Sequence, residues 1–62
     1  MIKDENVTFG ATYVDDTTGF TGQATAHIRY SDMESQVQLE AKGADGRRMS
    51  EWFSIKRLSF AS

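Results

Sequence analysis

Sixty-two residues with no cysteine and a single histidine make one domain at most, and they exclude disulfides, zinc–thiolate centres and cysteine nucleophiles. A chain this short buries only about 60% of the surface its unfolded form exposes, so four Phe, two Tyr and one Trp, or homodimerisation, must supply the cohesion that covalent staples do not. The net charge of −2 conceals −5 over residues 1–40 and +3 over residues 41–62, and the overall acidity argues against a dedicated DNA binder, which needs a net basic face.

The two halves would present opposite fields if the fold kept them on separate faces. The first residues, Met1-Ile2-Lys3-Asp4-Glu5-Asn6, are charged and lack an apolar run of signal-peptide length, and no later run is long enough to span a bilayer. The expectation is a cytoplasmic protein with no membrane association. Asn6-Val7-Thr8 matches the glycosylation acceptor pattern, but without a secretory route it is a coincidence.

In chain order, residues 6–14 read as the first strand, with Val7, Phe9, Ala11 and Tyr13 on one face at period two. Gly10 inside it points to a bulge or a close backbone approach. Asp15-Asp16-Thr17-Thr18-Gly19-Phe20-Thr21-Gly22 is the strongest turn signal, because Asp and Thr bond their own backbone and glycine takes positive φ without strain. Residues 20–30 alternate most clearly. Phe20, Gly22, Ala24, Ala26, Ile28 and Tyr30 share one face, and Thr21, Gln23, Thr25, His27 and Arg29 the other. Eleven residues are long for a strand, so this one is expected to bend.

Ser31-Asp32-Met33-Glu34 is the next turn, followed by a strand at residues 36–42 with Val37, Leu39 and Ala41 inward and Gln36, Gln38, Glu40 and Lys42 outward. Asp45-Gly46 marks a second hairpin. Residues 48–53 fit a fourth strand, although Met49, Trp52, Phe53 and Lys56 also fall at helical spacing. The strand is preferred because Leu58 and Phe60 resume period two. Residues 54–57 then form a short 3₁₀-like turn, and residues 58–61 a last strand that pairs with the first. Residues 1–62 are thus expected to form one all-β domain, a small SH3-like barrel of about five antiparallel strands. The alternative is a four-stranded sheet with a short C-terminal helix.

Gly10, Val14-Asp15, Thr18-Gly19-Phe20, Gly22, Ala24-Thr25-Ala26, Tyr30, Glu51-Trp52-Phe53 and Arg57-Leu58 together resemble a group of small phage-encoded proteins with an SH3-like barrel. These share a G-x-x-V-x-D-x-x-T-G-F-x-G-x-A-T-A core and a late W-F-x-x-x-x-L. The chain departs from the pattern in having Tyr13-Val14 for a single Val, and Ser31-Asp32-Met33-Glu34 where a short Asn-Gly turn is usual. The resemblance implies origin and fold more than mechanism.

Candidate chemistry is sparse. Asp15 and Asp16 lack the spacing of a calcium loop and read as turn formers. His27 has no nucleophile elbow near it and reads as an exposed strand histidine. The glycine pairs Gly19/Gly22 and Gly43/Gly46 join strands, so they are not phosphate loops. No metal or cofactor is expected, nor enzymatic activity.

What remains is a set of contact residues. Trp52, Tyr30, Tyr13 and Phe20 exceed what so small a core hides completely, and Arg47 and Arg48 lie at or after a hairpin tip. Aromatic residues with arginine dominate protein interfaces, so Phe20, Tyr30, Arg47, Arg48 and Trp52 are the candidate partner-binding residues. The favoured reading is a non-enzymatic protein-interaction module, a phage factor that binds and inhibits a host protein such as a defence component. The alternatives are nucleic-acid or nucleotide binding by the basic, aromatic C-terminal half, and a role in virion assembly.

Overall fold

The computed structural model describes residues 2–61. A 3₁₀ turn at Asp4–Asn6 precedes strands β1 (Thr12–Asp15), β2 (Thr21–Ile28), β3 (Gln36–Lys42) and β4 (Arg48–Ser54). A second 3₁₀ turn at Ile55–Arg57 leads into β5 (Leu58–Phe60). All five strands are antiparallel neighbours in one open sheet, in the order β4-β3-β2-β1-β5. The all-β expectation therefore holds. Residues 48–53 are a strand and not a helix, and the last strand pairs with the first through Tyr13↔Phe60, Val14↔Ser59 and Asp15↔Leu58.

The sheet coils so that Ile2, Tyr13, Ala24, Val37, Leu39, Phe53, Ile55 and Leu58 meet in one buried core, with Val7, Ala11 and Phe20 packed against it. Each fully buried aliphatic chain of this kind contributes about 1.5–3 kcal/mol. Two strands approach closely at Gly22, where a Cβ would stand 2.7 Å from the Glu40 carbonyl oxygen. Any side chain there would force β2 away from β3.

The first strand is shorter than its periodicity predicts. Gly10 adopts φ +87° in a turn ahead of β1, so the alternation from Val7 through Phe9 to Tyr13 is not carried by one extended segment, and Phe9 is 67% exposed. Tyr13 is fully buried, contrary to its expected place among the surplus aromatics. Its hydroxyl donates to the Asn6 carbonyl at 2.8 Å and accepts from the Thr8 amide at 2.9 Å. A satisfied hydroxyl makes burial of the whole ring favourable.

The bulge falls in β2 and not at Gly10. Ala24 pairs with Leu39, but Ala26 pairs with Gln38, which leaves Thr25 as the extra residue. A one-residue slip turns every later side chain to the opposite face. Ala26 and Ile28 therefore stand on the outer face opposite Gln38 and Gln36, while His27 turns inward opposite Val37. The expected single face running from Phe20 through Ile28 is broken at its middle.

Candidate functional site

The outer face of β2, β3 and β4 is where exposed aromatic and charged side chains come together. Direct cross-strand pairs share a face of the sheet, so the register places Trp52 opposite Gln38, which in turn lies opposite Ala26. The next row holds Ile28, Gln36 and Ser54, and the row on the other side Gln23, Glu40 and Ser50. Trp52 is 42% exposed and Ile28 38%. An exposed strip results, with Trp52 in the Gln38 row, Ile28 one row beyond, and Arg48 with Glu40 toward the other end.

Arg48 shares the outer face of β4 with Trp52, about 13 Å along the strand at ~3.3 Å per residue. Its Nη1 lies 3.4 Å from Glu40 Oε1. Gln23, Glu40, Ala41, Lys42 and Arg48 line a shallow hollow of about 380 Å³ at this end. Thr25, displaced by the bulge, donates its hydroxyl to the Gln38 side-chain oxygen at 3.2 Å and so braces the middle of the strip.

The other expected contact residues are dispersed. Arg47 occupies the β3–β4 hairpin tip, 3.6 Å from Asp45 and largely exposed. Tyr30, 39% exposed, lies just beyond the end of β2. Phe20 is half-buried on the core side of the sheet, its ring 5.2 Å from that of Phe53. Of the five candidates, the fold brings Arg48 and Trp52 onto one face and sets Phe20 on the opposite side. Ile28 and the Gln36/Gln38 pair belong to the strip although neither drew notice in the sequence. Ile28 was hidden by the bulge, and a row of Gln in a strand reads as ordinary solvated surface.

The carboxylates of the first hairpin are structural. Asp15 is fully buried, and Arg57 donates to it from Nε at 2.9 Å and Nη2 at 2.7 Å. The Thr18 amide donates to the same carboxylate at 3.0 Å and its hydroxyl adds a further bond. Arg57 above all, with Thr18, holds the Asp15 carboxyl down at about 2, while Asp15 raises Arg57. The same guanidinium lies 5.7 Å from the centre of the Phe53 ring.

His27 is not an exposed strand histidine, because the bulge carries it inward. Its Nε2 lies 2.8 Å from Asp4 Oδ1, with the imidazole largely covered. The Ser35 hydroxyl, then His27, hold the Asp4 carboxyl below its ordinary value. The imidazole thus pairs with a carboxylate, and among the described residues no hydroxyl is hydrogen-bonded to the ring. A nucleophilic triad instead requires the hydroxyl on the imidazole. The cluster clasps the N-terminal segment, whose Ile2 is 3% exposed, to the sheet.

The charge asymmetry of the sequence does not become two opposed faces. β4 lies beside β3 and β5 beside β1, so Arg48 meets Glu40, Arg57 meets Asp15, and Lys56 lies 3.5 Å from Glu34. Basic residues of the C-terminal half are interleaved with acids of the first half. Among the described residues, no cluster of three or more His, Asp or Glu is arranged to hold a metal ion, and no helix is long and apolar enough to cross a membrane. No protein-family model matches the chain, and comparison with curated proteins and with solved structures returned no match.

Proposed function

We propose that this chain is a non-enzymatic protein-interaction module whose outer β2–β3–β4 face docks a partner protein. The observation that carries this reading is Trp52, a large aromatic held at 42% exposure on a regular edge strand, on the same face as Ile28, the amides of Gln36 and Gln38 and the Arg48–Glu40 pair. Exposed apolar groups set beside polar and charged ones suit a protein interface, and Trp and Arg are the residues over-represented where binding energy concentrates. Arg48, reaching along the same face, would supply the charged end of the contact.

The resemblance to small phage-encoded barrels supplies the context: a phage factor that binds and inhibits a host protein, with a defence component as the natural target. The interleaved charges favour a protein partner over nucleic acid, since a phosphate backbone calls for a continuous basic surface. The test is affinity purification from bacterial lysate followed by mass spectrometry, with wild type and Trp52→Ala in parallel. A stoichiometric protein partner retained by wild type and lost from a folded Trp52→Ala variant supports the reading. Absence of any such partner, or salt-dependent oligonucleotide binding lost on Arg47→Ala, overturns it.

A further inference from the structure

The two edges of the sheet are treated differently. β5 is three residues long, and on its outer side the Ile2 amide donates to the Leu58 carbonyl at 3.1 Å, so the N-terminal segment covers it. β4 is seven residues long and has no bulge. Its ladder bonds fix which groups are free. At one end the Gly43 amide donates to the Arg47 carbonyl at 2.7 Å, and at the other the Ile55 amide donates to the Ser35 carbonyl at 2.9 Å. Both bonds continue the register of Lys42↔Arg48 and Gln36↔Ser54. Antiparallel bonding alternates along a strand, so Met49, Glu51 and Phe53 bond to β3, while the amides and carbonyls of Arg48, Ser50, Trp52 and Ser54 point away from the sheet.

Natural edge strands are blunted by Pro, Lys, a bulge, or a covering segment. Among the described residues β4 has no Pro, Lys, bulge or hydrogen-bonded covering segment, and its two charges, Arg48 and Glu51, are opposite in sign, so they can attract rather than repel a second copy of the strand. We infer that β4 is a self-pairing edge, through which two copies of this chain join antiparallel to form one continuous sheet. This goes beyond the reading above, because it uses the main chain of the β4 edge, although Trp52 and Arg48 of the outer face lie within the same joint.

Charge complementarity selects the register. Centring the two-fold axis on Glu51 sets two carboxylates directly opposite each other, which is unfavourable. An axis at Trp52 confines the pairing to Ser50–Ser54, because the 3₁₀ turn at Ile55–Arg57 follows, and leaves Arg47 and Arg48 without a partner, and an axis at Met49 runs the pairing into Gly46, whose φ of +83° is not extended. With the axis at Ser50, a small residue meets itself. Arg48 then lies opposite Trp52 of the second copy on the outer face, a cation–π geometry. On the other face Glu51 lies diagonal to Arg47 of the second copy, within reach of so long a side chain. Both contacts occur twice, and about six main-chain hydrogen bonds join the strands. The contact is small, which places it among transient, concentration-dependent interfaces.

Sedimentation equilibrium from micromolar to millimolar concentration tests this on wild type, Arg47→Glu, Glu51→Arg and the double exchange. Wild type is expected to dimerise as concentration rises. Each single reversal weakens the dimer about tenfold by opposing like charges across the axis, and the double exchange restores it. In the same range, hydrogen exchange at the Ser50 and Trp52 amides slows as dimer forms. Ser50→Pro, which removes an outward donor at the axis, abolishes the dimer. The charge exchange leaves the backbone untouched and decides the question even if the proline variant fails to fold. A chain that stays monomeric at millimolar concentration overturns the inference. So does a dimer that the double exchange does not restore, or one whose Ser50 and Trp52 amides exchange alike at both concentrations.

Discussion

Asp15 and Arg57, 42 residues apart in the chain, are joined by two parallel N–H···O bonds of 2.9 and 2.7 Å that tie the first hairpin to the turn before the last strand. Backbone bonds run alongside, from the Asp16 amide to the Arg57 carbonyl at 2.7 Å and from the Gly19 amide to the Asp15 carbonyl at 2.7 Å. The pair fixes where β5 meets β1. It also fixes Phe53, which lies under the same guanidinium.

Arg57→Ala should therefore be among the most damaging single changes, because it leaves a buried carboxylate without its charged donor. The expected effect is a fall in Tm on the order of 10 °C, read by circular dichroism. Arg57→Lys should recover little of the loss, since an ammonium cannot present the two-pronged geometry. Full rescue by lysine would show that only the charge matters.

The same carboxylate makes stability depend on acid. Asp15 titrates at about 2 in the folded chain against an ordinary 3.8, chiefly because Arg57 bonds its charged form. A folded value below the unfolded one means that the contribution is fully present above about 4 and is lost as pH falls toward about 2. Asp4, held down by Ser35 and His27, and Glu34, held down by the Ser54 hydroxyl and then Lys56, act in the same direction. Thermal melts between pH 7 and 2 should show wild type losing Tm in that acid window. The gap to Asp15→Asn should close over the same range; parallel curves would remove Asp15 as the source.

Gly22→Ala tests the close approach of β2 and β3. The added methyl would stand 2.7 Å from the Glu40 carbonyl oxygen, a main-chain atom that cannot rotate aside. Forcing β2 from β3 is expected to cost about 2 kcal/mol, a drop of roughly 10 °C in Tm for a domain of this size. At Gly19 the φ of +82°, and no neighbouring atom, makes the same substitution unfavourable. Amide chemical shifts of the two variants separate the mechanisms, because only Gly22→Ala should also disturb the amides of β3.

Much of this architecture was legible in the residues. Gln36–Lys42 falls where its alternation predicts, and the 3₁₀ turn at Ile55–Arg57 and the β1–β5 pairing follow from the break and resumption of period two near Leu58. The Thr25 bulge was not legible, because Ala24-Thr25-Ala26 alternates as well with a bulge as without one. The slip it introduces decides where His27 and Ile28 point, and so half of the candidate face. Burial of Tyr13 was equally hidden, since it depends on the Asn6 carbonyl and Thr8 amide arriving at its hydroxyl from a loop. Local pattern shows strands; register and long-range polar partners decide which side chains are left to bind.

Phe20 and Trp52 separate fold from function. Phe20 packs on Phe53 at 5.2 Å between ring centres and against the core, so Phe20→Ala removes buried apolar area. For a half-buried ring the loss should be about 2–3 kcal/mol, below the range for a fully buried Phe. Trp52 stands on the outer face at 42% exposure and outside the core cluster, so Trp52→Ala should cost less stability than Phe20→Ala. Against the proposed protein partner the order is expected to reverse: Trp52→Ala should weaken binding by about 2 kcal/mol or more, roughly 30-fold. Phe20→Ala, measured at a temperature where it remains folded, should bind nearly as wild type. Denaturant titration and calorimetric binding on the two variants read both quantities. Were Phe20→Ala to abolish binding while folded, the contact surface would lie on the core side of the first hairpin and not on the outer face of β4.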